Sequence, residues 1–178
     1  MKKLFFILLA LCVVFFLASC DDGGSSGGGG DSSAFDAEYT AISGGSNKYV
    51  VNDIVGRTDP PISDFSNVDG GIKFKEDTGM GNMSVEIHIT IFLNNDTRFA
   101  SKEGGKIDGE SIGNFEYTGT WSRSGTTITM TATKEKDLDT GKVKDCNKVM
   151  ETEISNDEST LTDKNIHGDA GSKFIYKK

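Results

Sequence analysis

Residues Met83 to Leu93 read MSVEIHITIFL. Met83, Val85, Ile87, Ile89, Ile91 and Leu93 fall on one side of an extended chain. Ser84, Glu86, His88 and Thr90 fall on the other, with Phe92 as the exception. A period of two sustained this long predicts a half-buried strand, because successive side chains of a strand point to opposite faces. Such a strand cannot stand alone. Its apolar face must be covered by other strands, so it commits the domain to a sheet.

The rest of the chain supplies those partners. Asn94-Asn95-Asp96 is a turn signal, and Thr97 to Ala100 can return beside the first strand, followed by a glycine-rich connection over Glu103 to Gly109. Phe115, Tyr117, Gly119 and Trp121 alternate along the next strand, and Arg123-Ser124-Gly125 turns it. Ile128, Met130 and Ala132 alternate with Thr127, Thr129, Thr131 and Thr133. Asp139-Thr140-Gly141 turns the chain again, and Cys146, Met150 and Ile154 share a face on the return. Trp121 to Thr129 and Ile154 to Thr162 match in residue type at most positions, so one hairpin device is used twice. Lys173 to Lys177 (KFIYK) forms a last strand.

Upstream, Lys48 to Val55 is β-prone and Ile72 to Lys75 is a short strand, with Gly56 to Gly71 read as a loop around Asp59-Pro60-Pro61. Phe35, Tyr39 and Ile42 stand at helical spacing, which fits one short helix or a first strand. About eight or nine strands joined by short turns imply antiparallel neighbours. The expected fold is all-β, an antiparallel meander closing as an up-and-down barrel of about eight strands, since closure removes exposed edges. A β-sandwich is the alternative.

The N-terminus is of another kind. Met1-Lys2-Lys3 is positive, and Leu4 to Leu17 is uncharged and almost wholly apolar. Those 14 residues are fewer than the roughly 20 that a spanning helix needs. The pattern is that of a secretory signal. Leu17-Ala18-Ser19-Cys20 resembles the lipobox of bacterial lipoproteins at all four positions. The resemblance implies cleavage after residue 19 and a diacylglycerol on the Cys20 thiol, with acylation of the new amine. Two or more chains hold a membrane stably where one does not. The implied localisation is the bacterial cell envelope, lipid-anchored to the outer membrane at its periplasmic or surface-exposed face. The expected organisation is a cleaved signal over 1–19, the lipidated Cys20 with a Gly/Ser tether over 20–33, and one β-domain over 34–178. Asp21 to Ser33 (DDGGSSGGGGDSS) has no apolar residue to bury, which predicts a coil.

Signal removal takes Lys2 and Lys3 and no acid, so the net charge of −8 becomes −10. Such a chain is repelled by nucleic acid and by anionic headgroups, so no nucleic-acid partner is expected. Of three cysteines, Cys12 leaves with the signal and Cys20 takes lipid. Cys146 is then left as a small buried hydrophobe, a reactive thiol or a dimer-forming one, with no disulfide in the mature monomer.

The Gly-x-Trp of Gly119 to Trp121 and the repeated turn-Gly-Thr-Thr-Ile-Thr pattern resemble small lipocalin-like bacterial lipoproteins, over about Met83 to Lys178. In lipocalins the Gly-x-Trp opens the first strand. Here it lies mid-chain, so no ligand residue is carried over by position. The resemblance implies a non-enzymatic binding module for a small apolar ligand. From the residues themselves, Phe115, Tyr117 and Trp121 are the pocket-lining candidates, against a reading as plain core. The competing function is a protein-interaction lipoprotein, such as an adhesin or an envelope assembly or inhibitory factor, with a solid core.

No catalytic set is expected. There is no Gly-x-Ser-x-Gly elbow and no Ser-His-Asp signature. His88 and His167 lack the neighbours of a zinc site, and no metal or cofactor is expected. Asp137 to Gly141 has acids at calcium-loop spacing, but its glycine falls one position early and no bidentate Glu follows, so it reads as a turn. Glu151 and Glu153 share a face and read as solvent-facing charge.

Overall fold

The structure is a computed structural model, and it describes residues 30–57, 61–77, 79, 81–164 and 172–178. Cys12, Cys20, His167 and most of the tether lie outside those residues. Helix α1 spans Ser32–Ser43. Among the described residues ten strands follow: β1 (Asn47–Val55), β2 (Ile62–Val68), β3 (Gly71–Asp77), β4 (Asn82–Leu93), β5 (Arg98–Ile107), β6 (Glu110–Ser124), β7 (Thr127–Asp137), β8 (Val143–Ile154), β9 (Thr160–Asp163) and β10 (Lys173–Lys177).

Strands β4 to β10 form an antiparallel meander, each paired with the next in sequence. β1 closes the ring. It pairs with β4 from Asn47↔Leu93 to Val50↔Thr90, then with β10 as far as Val55↔Lys173. The result is a closed eight-stranded antiparallel barrel, as the strand pattern predicts; closure rules out the sandwich. The β2–β3 hairpin is an addition. Past the point where β1 leaves β4, β3 takes over that edge, from Gly71↔His88 to Asp77↔Asn82. Gly71 sits at this handover, where a Cβ would lie 2.2 Å from the Ile87 carbonyl oxygen. Only glycine allows so close an approach.

Two local expectations need correction, and one open choice is settled. The loop expected over 56–71 contains β2, whose residues are mostly exposed and do not alternate. Its pairing with β3 is bulged between Ser63 and Ser66, and Asp64 has φ 51. A bulged, polar edge strand carries no period-two signal. The glycine-rich connection expected over Glu103 to Gly109 is instead mostly the second half of β5. Its glycines admit close neighbours: a Cβ at Gly105 would lie 2.9 Å from the Glu86 carbonyl oxygen. The open choice at residues 35–42 resolves as a helix, with the Asp31 side chain accepting the Ser33 N–H at 2.9 Å as the N-cap.

Helix α1 packs on the outside of the barrel against β4, β5 and β6. Phe35 and Ile42 are buried, and Tyr39 meets Phe92 edge to face at 6.1 Å. Phe92, Ala100 and Thr118 are successive cross-strand neighbours. The alternation of β4 breaks at Phe92 because the helix covers that patch of the outer wall. Ala100 and Thr118 are fully buried there although they point away from the barrel core.

Turns 94–97, 125–126 and 155–159 gather at one end of the barrel. That end is tied shut: Trp121 Nε1–H donates to the Asn94 carbonyl at 2.8 Å, Tyr49 Oη–H donates to the Glu158 carbonyl at 3.0 Å, and Arg123 pairs with Glu158. Turns 108–109 and 138–142 lie at the other end. The Gly30 N–H donates to the Val143 carbonyl there at 3.2 Å, so the chain enters α1 from that end.

Candidate functional site

Inside the barrel, alternation places Tyr49, Val51, Ile87, Ile89, Ile91, Leu93, Phe99, Ile128, Met130, Leu161 and Phe174 in one buried cluster. The same alternation carries ionisable and polar residues inward. Ser101 and Glu103 follow Phe99 on the inner face of β5. Tyr117 lies opposite Ser101 on β6, and Glu135 lies opposite Tyr117 on β7. A bulge after Ala132 shifts the phase and turns Glu135 inward. Lys148 and Thr152 come from β8, Asp163 from β9 opposite Thr152, and Tyr176 from β10.

These side chains form a polar layer within the core. Lys148 Nζ lies 2.7 Å from Glu103 Oε2 and 4.3 Å from the centre of the Tyr117 ring. Lys144 Nζ lies 3.7 Å from Glu135 Oε1. Tyr176 Oη–H and the Phe174 N–H both donate to Asp163 Oδ2, at 3.2 and 3.3 Å. Glu103 is 1% exposed and Tyr117 is fully enclosed. Burial pushes the Glu103 carboxyl above the usual carboxylate range, and the Lys148 ammonium opposes that. Burial raises the Tyr117 hydroxyl too, with the negative charges of Glu103 and Glu135 adding to the effect. Burial likewise raises Tyr176, and Asp163 adds to it. The hydroxyl oxygens of Ser101 and Thr152 inside the barrel, and of Thr118 on its outer wall, are buried and have no hydrogen-bond partner among the described residues.

Of the pocket candidates named from the sequence, Phe115 and Tyr117 are neighbours, with rings 6.4 Å apart. Phe115 is only partly buried, whereas Tyr117 is the aromatic wall of the polar layer. Trp121 is elsewhere. It sits over the tied end, its N–H engaged by Asn94. Cys20 lies outside the described residues. Glu103, Glu135, Lys148 and Asp163 were not singled out from sequence. For Lys148 and Thr152 the signal was present, because both keep step with Cys146, Met150 and Ile154. Asp163 keeps step with Leu161 in the same way.

The remaining candidates have structural roles. His88 faces outward, with Nε2 2.7 Å from Glu86 Oε1, and Lys106 approaches the same carboxylate. The hydrogen bond from His88 holds Glu86 below its ordinary range. Asp137 Oδ1 accepts the N–H groups of Asp139 and Thr140, which is a turn closing on itself. Cys146 is half-buried beside the core and is disulfide-bonded, against the expectation of no disulfide in the mature monomer. Among the described residues no three His, Cys, Asp or Glu side chains are placed to hold a metal ion. Comparison with protein-family models finds no match to this chain, and comparison with curated proteins finds none either.

Proposed function

We propose that this protein is a lipid-anchored component of a bacterial envelope, held through Cys20, whose barrel is a non-enzymatic binding module for a small ligand. The observation that carries the binding role is the pair of orphaned hydroxyls at Ser101 and Thr152 inside the barrel. Folded proteins satisfy nearly all buried polar groups. Two left open beside a layer of buried charge call for a partner beyond the described residues, such as ordered water or a ligand. The anchor rests on the Leu17-Ala18-Ser19-Cys20 pattern.

The apolar ligand implied by the lipocalin-like resemblance would contact Phe115 and the aliphatic core. The charged layer around Tyr117 favours a ligand with a polar group as well. A protein-binding role would draw on β2, where Phe65 is 39% exposed on an edge unpaired among the described residues. The bulge at Asp64 and its ion pair with Lys75 blunt that edge, so this reading takes second place.

Native mass spectrometry of the mature protein, released gently from its own membrane, tests the binding role. A bound species lost on denaturation supports a carrier and gives the ligand mass. A mass equal to the lipidated chain alone, from several preparations, counts against it.

A further inference from the structure

We propose that the niche between the Glu103 carboxylate and the face of the Tyr117 ring is the ligand site, that the Lys148 ammonium occupies it as a resident plug, and that the ligand is a small organic cation bearing a primary or methylated ammonium. This rests on the binding-module reading and deepens it. The geometry is that of an ammonium site. One side offers a carboxylate at 2.7 Å and the other an aromatic face at 4.3 Å. Such a face attracts cations through its quadrupole, more strongly when water is excluded.

The two partners of the ion pair are not equally committed to the interior. The Glu103 side chain is 1% exposed and that of Lys148 is 17% exposed. A lysine has a long flexible stem and can withdraw its ammonium toward water. Glu103 cannot follow, and leaving it charged without a counterion is costly. A vacated niche therefore favours another cation wherever the carboxyl is ionised.

The charge of the layer points the same way. Among the described residues, Glu103, Glu135 and Asp163 contribute three acids against Lys144 and Lys148. An anionic ligand would meet those carboxylates, and a wholly apolar one would strand Glu103. A metal ion is the weaker fit, since the acids are not gathered around one point. Ser101 stands two residues from Glu103 on the same face and opposite Tyr117. Its open hydroxyl is placed to meet a polar group on the ligand body.

The test uses the full mature chain in detergent, with n-butylammonium and choline as probes and n-butanol as the uncharged control. Lys148→Ala empties the niche. Its melting temperature should rise with n-butylammonium, by about 3 °C at tenfold-saturating probe, and should not rise with n-butanol. The wild-type protein should respond to the same cations at higher concentration, because its own lysine competes. Glu103→Gln should respond to neither. If Lys148→Ala does not fold, the wild-type titration decides, followed by NMR shifts of the Tyr117 ring. Equal response to butanol, or no response to either cation, overturns the proposal. Cation binding by a protein without lipid on Cys20 would leave the site standing and remove the anchor. Lipid on Cys20 with no cation response would overturn the site alone.

Discussion

Arg57 Nη1 lies 2.7 Å from Glu76 Oε1, and both side chains are 2% exposed. The pair joins the chain leaving β1 to β3, at the seam where β3 has replaced β1 beside β4. The contact is a buried ion pair. Burial raises the Glu76 carboxyl, and the Arg57 charge opposes the rise. Removing Arg57 leaves the buried Glu76 carboxyl without its counter-charge. Arg57→Met should therefore cost about 3 kcal/mol of unfolding free energy. The double variant Arg57→Met with Glu76→Leu should recover most of that loss. Urea denaturation measures both, and a single-variant cost below about 1 kcal/mol would mean that the pair is solvated and does not hold the hairpin.

Gly119 is fixed by contact. A Cβ there would lie 2.0 Å from the Thr131 carbonyl oxygen and 2.8 Å from Phe99 Cε1. The first is backbone of the neighbouring strand at the β6–β7 bulge and has little room to yield. Gly119→Ala should destabilise the barrel by about 3 kcal/mol, far beyond the strand-propensity gain from alanine. Trp121 fluorescence on thermal melting reports it. An unchanged midpoint would show that the bulge relaxes freely.

The buried acids give stability a definite pH dependence. Glu103 and Glu76 have folded-state values raised by burial. Their contribution is thus fully present below the ordinary carboxylate range and is lost as pH rises through the raised values. Glu86 and Asp157 are held low, Asp157 at about 2, by hydrogen bonds from His88 and from Ser155 and Ser159. Their contribution runs the other way and is lost as pH falls through those values. Stability should therefore peak in mild acid and decline toward neutral pH. Glu103→Gln should flatten the decline. Denaturant midpoints from pH 4 to pH 8 decide it, and an equal slope in wild type and variant would remove Glu103 as a source.

The barrel was legible where alternation was clean. β4 announces itself, and the two matched hairpins place their turns correctly. Gly125 and Glu158 stand at equivalent positions of that repeat, and both are left-handed, with φ 61 and 56. What escaped was carried by phase shifts and by polar residues turned inward. β2 hides behind a bulge. Glu135 reaches the interior only because of the bulge after Ala132. Glu103 follows the inner face of β5 into a stretch whose glycines read as a connection. The helix was visible in spacing, but its seat on the outer wall was not, and Phe92 was the trace it left in the sequence.

Two chemistries are open to Cys20. Cys146 is disulfide-bonded, and the only other cysteines of the chain are Cys12 and Cys20. The lipoprotein reading removes Cys12 and turns the Cys20 thiol into a thioether. A sulfur so alkylated cannot enter a disulfide. In the anchored protein, Cys146 must then be reduced or bridge two chains. Protein taken from membranes grown with labelled palmitate should carry the label, and Cys20→Ala should abolish both the label and membrane partition. Denatured without reductant, the anchored protein should run as a monomer that takes one maleimide per chain, or as a dimer that reducing agent splits. A monomer that takes up no maleimide until reduced and carries no palmitate would show Cys20 committed to sulfur instead of lipid. That result would sink the anchor, and with it the assignment to the envelope surface.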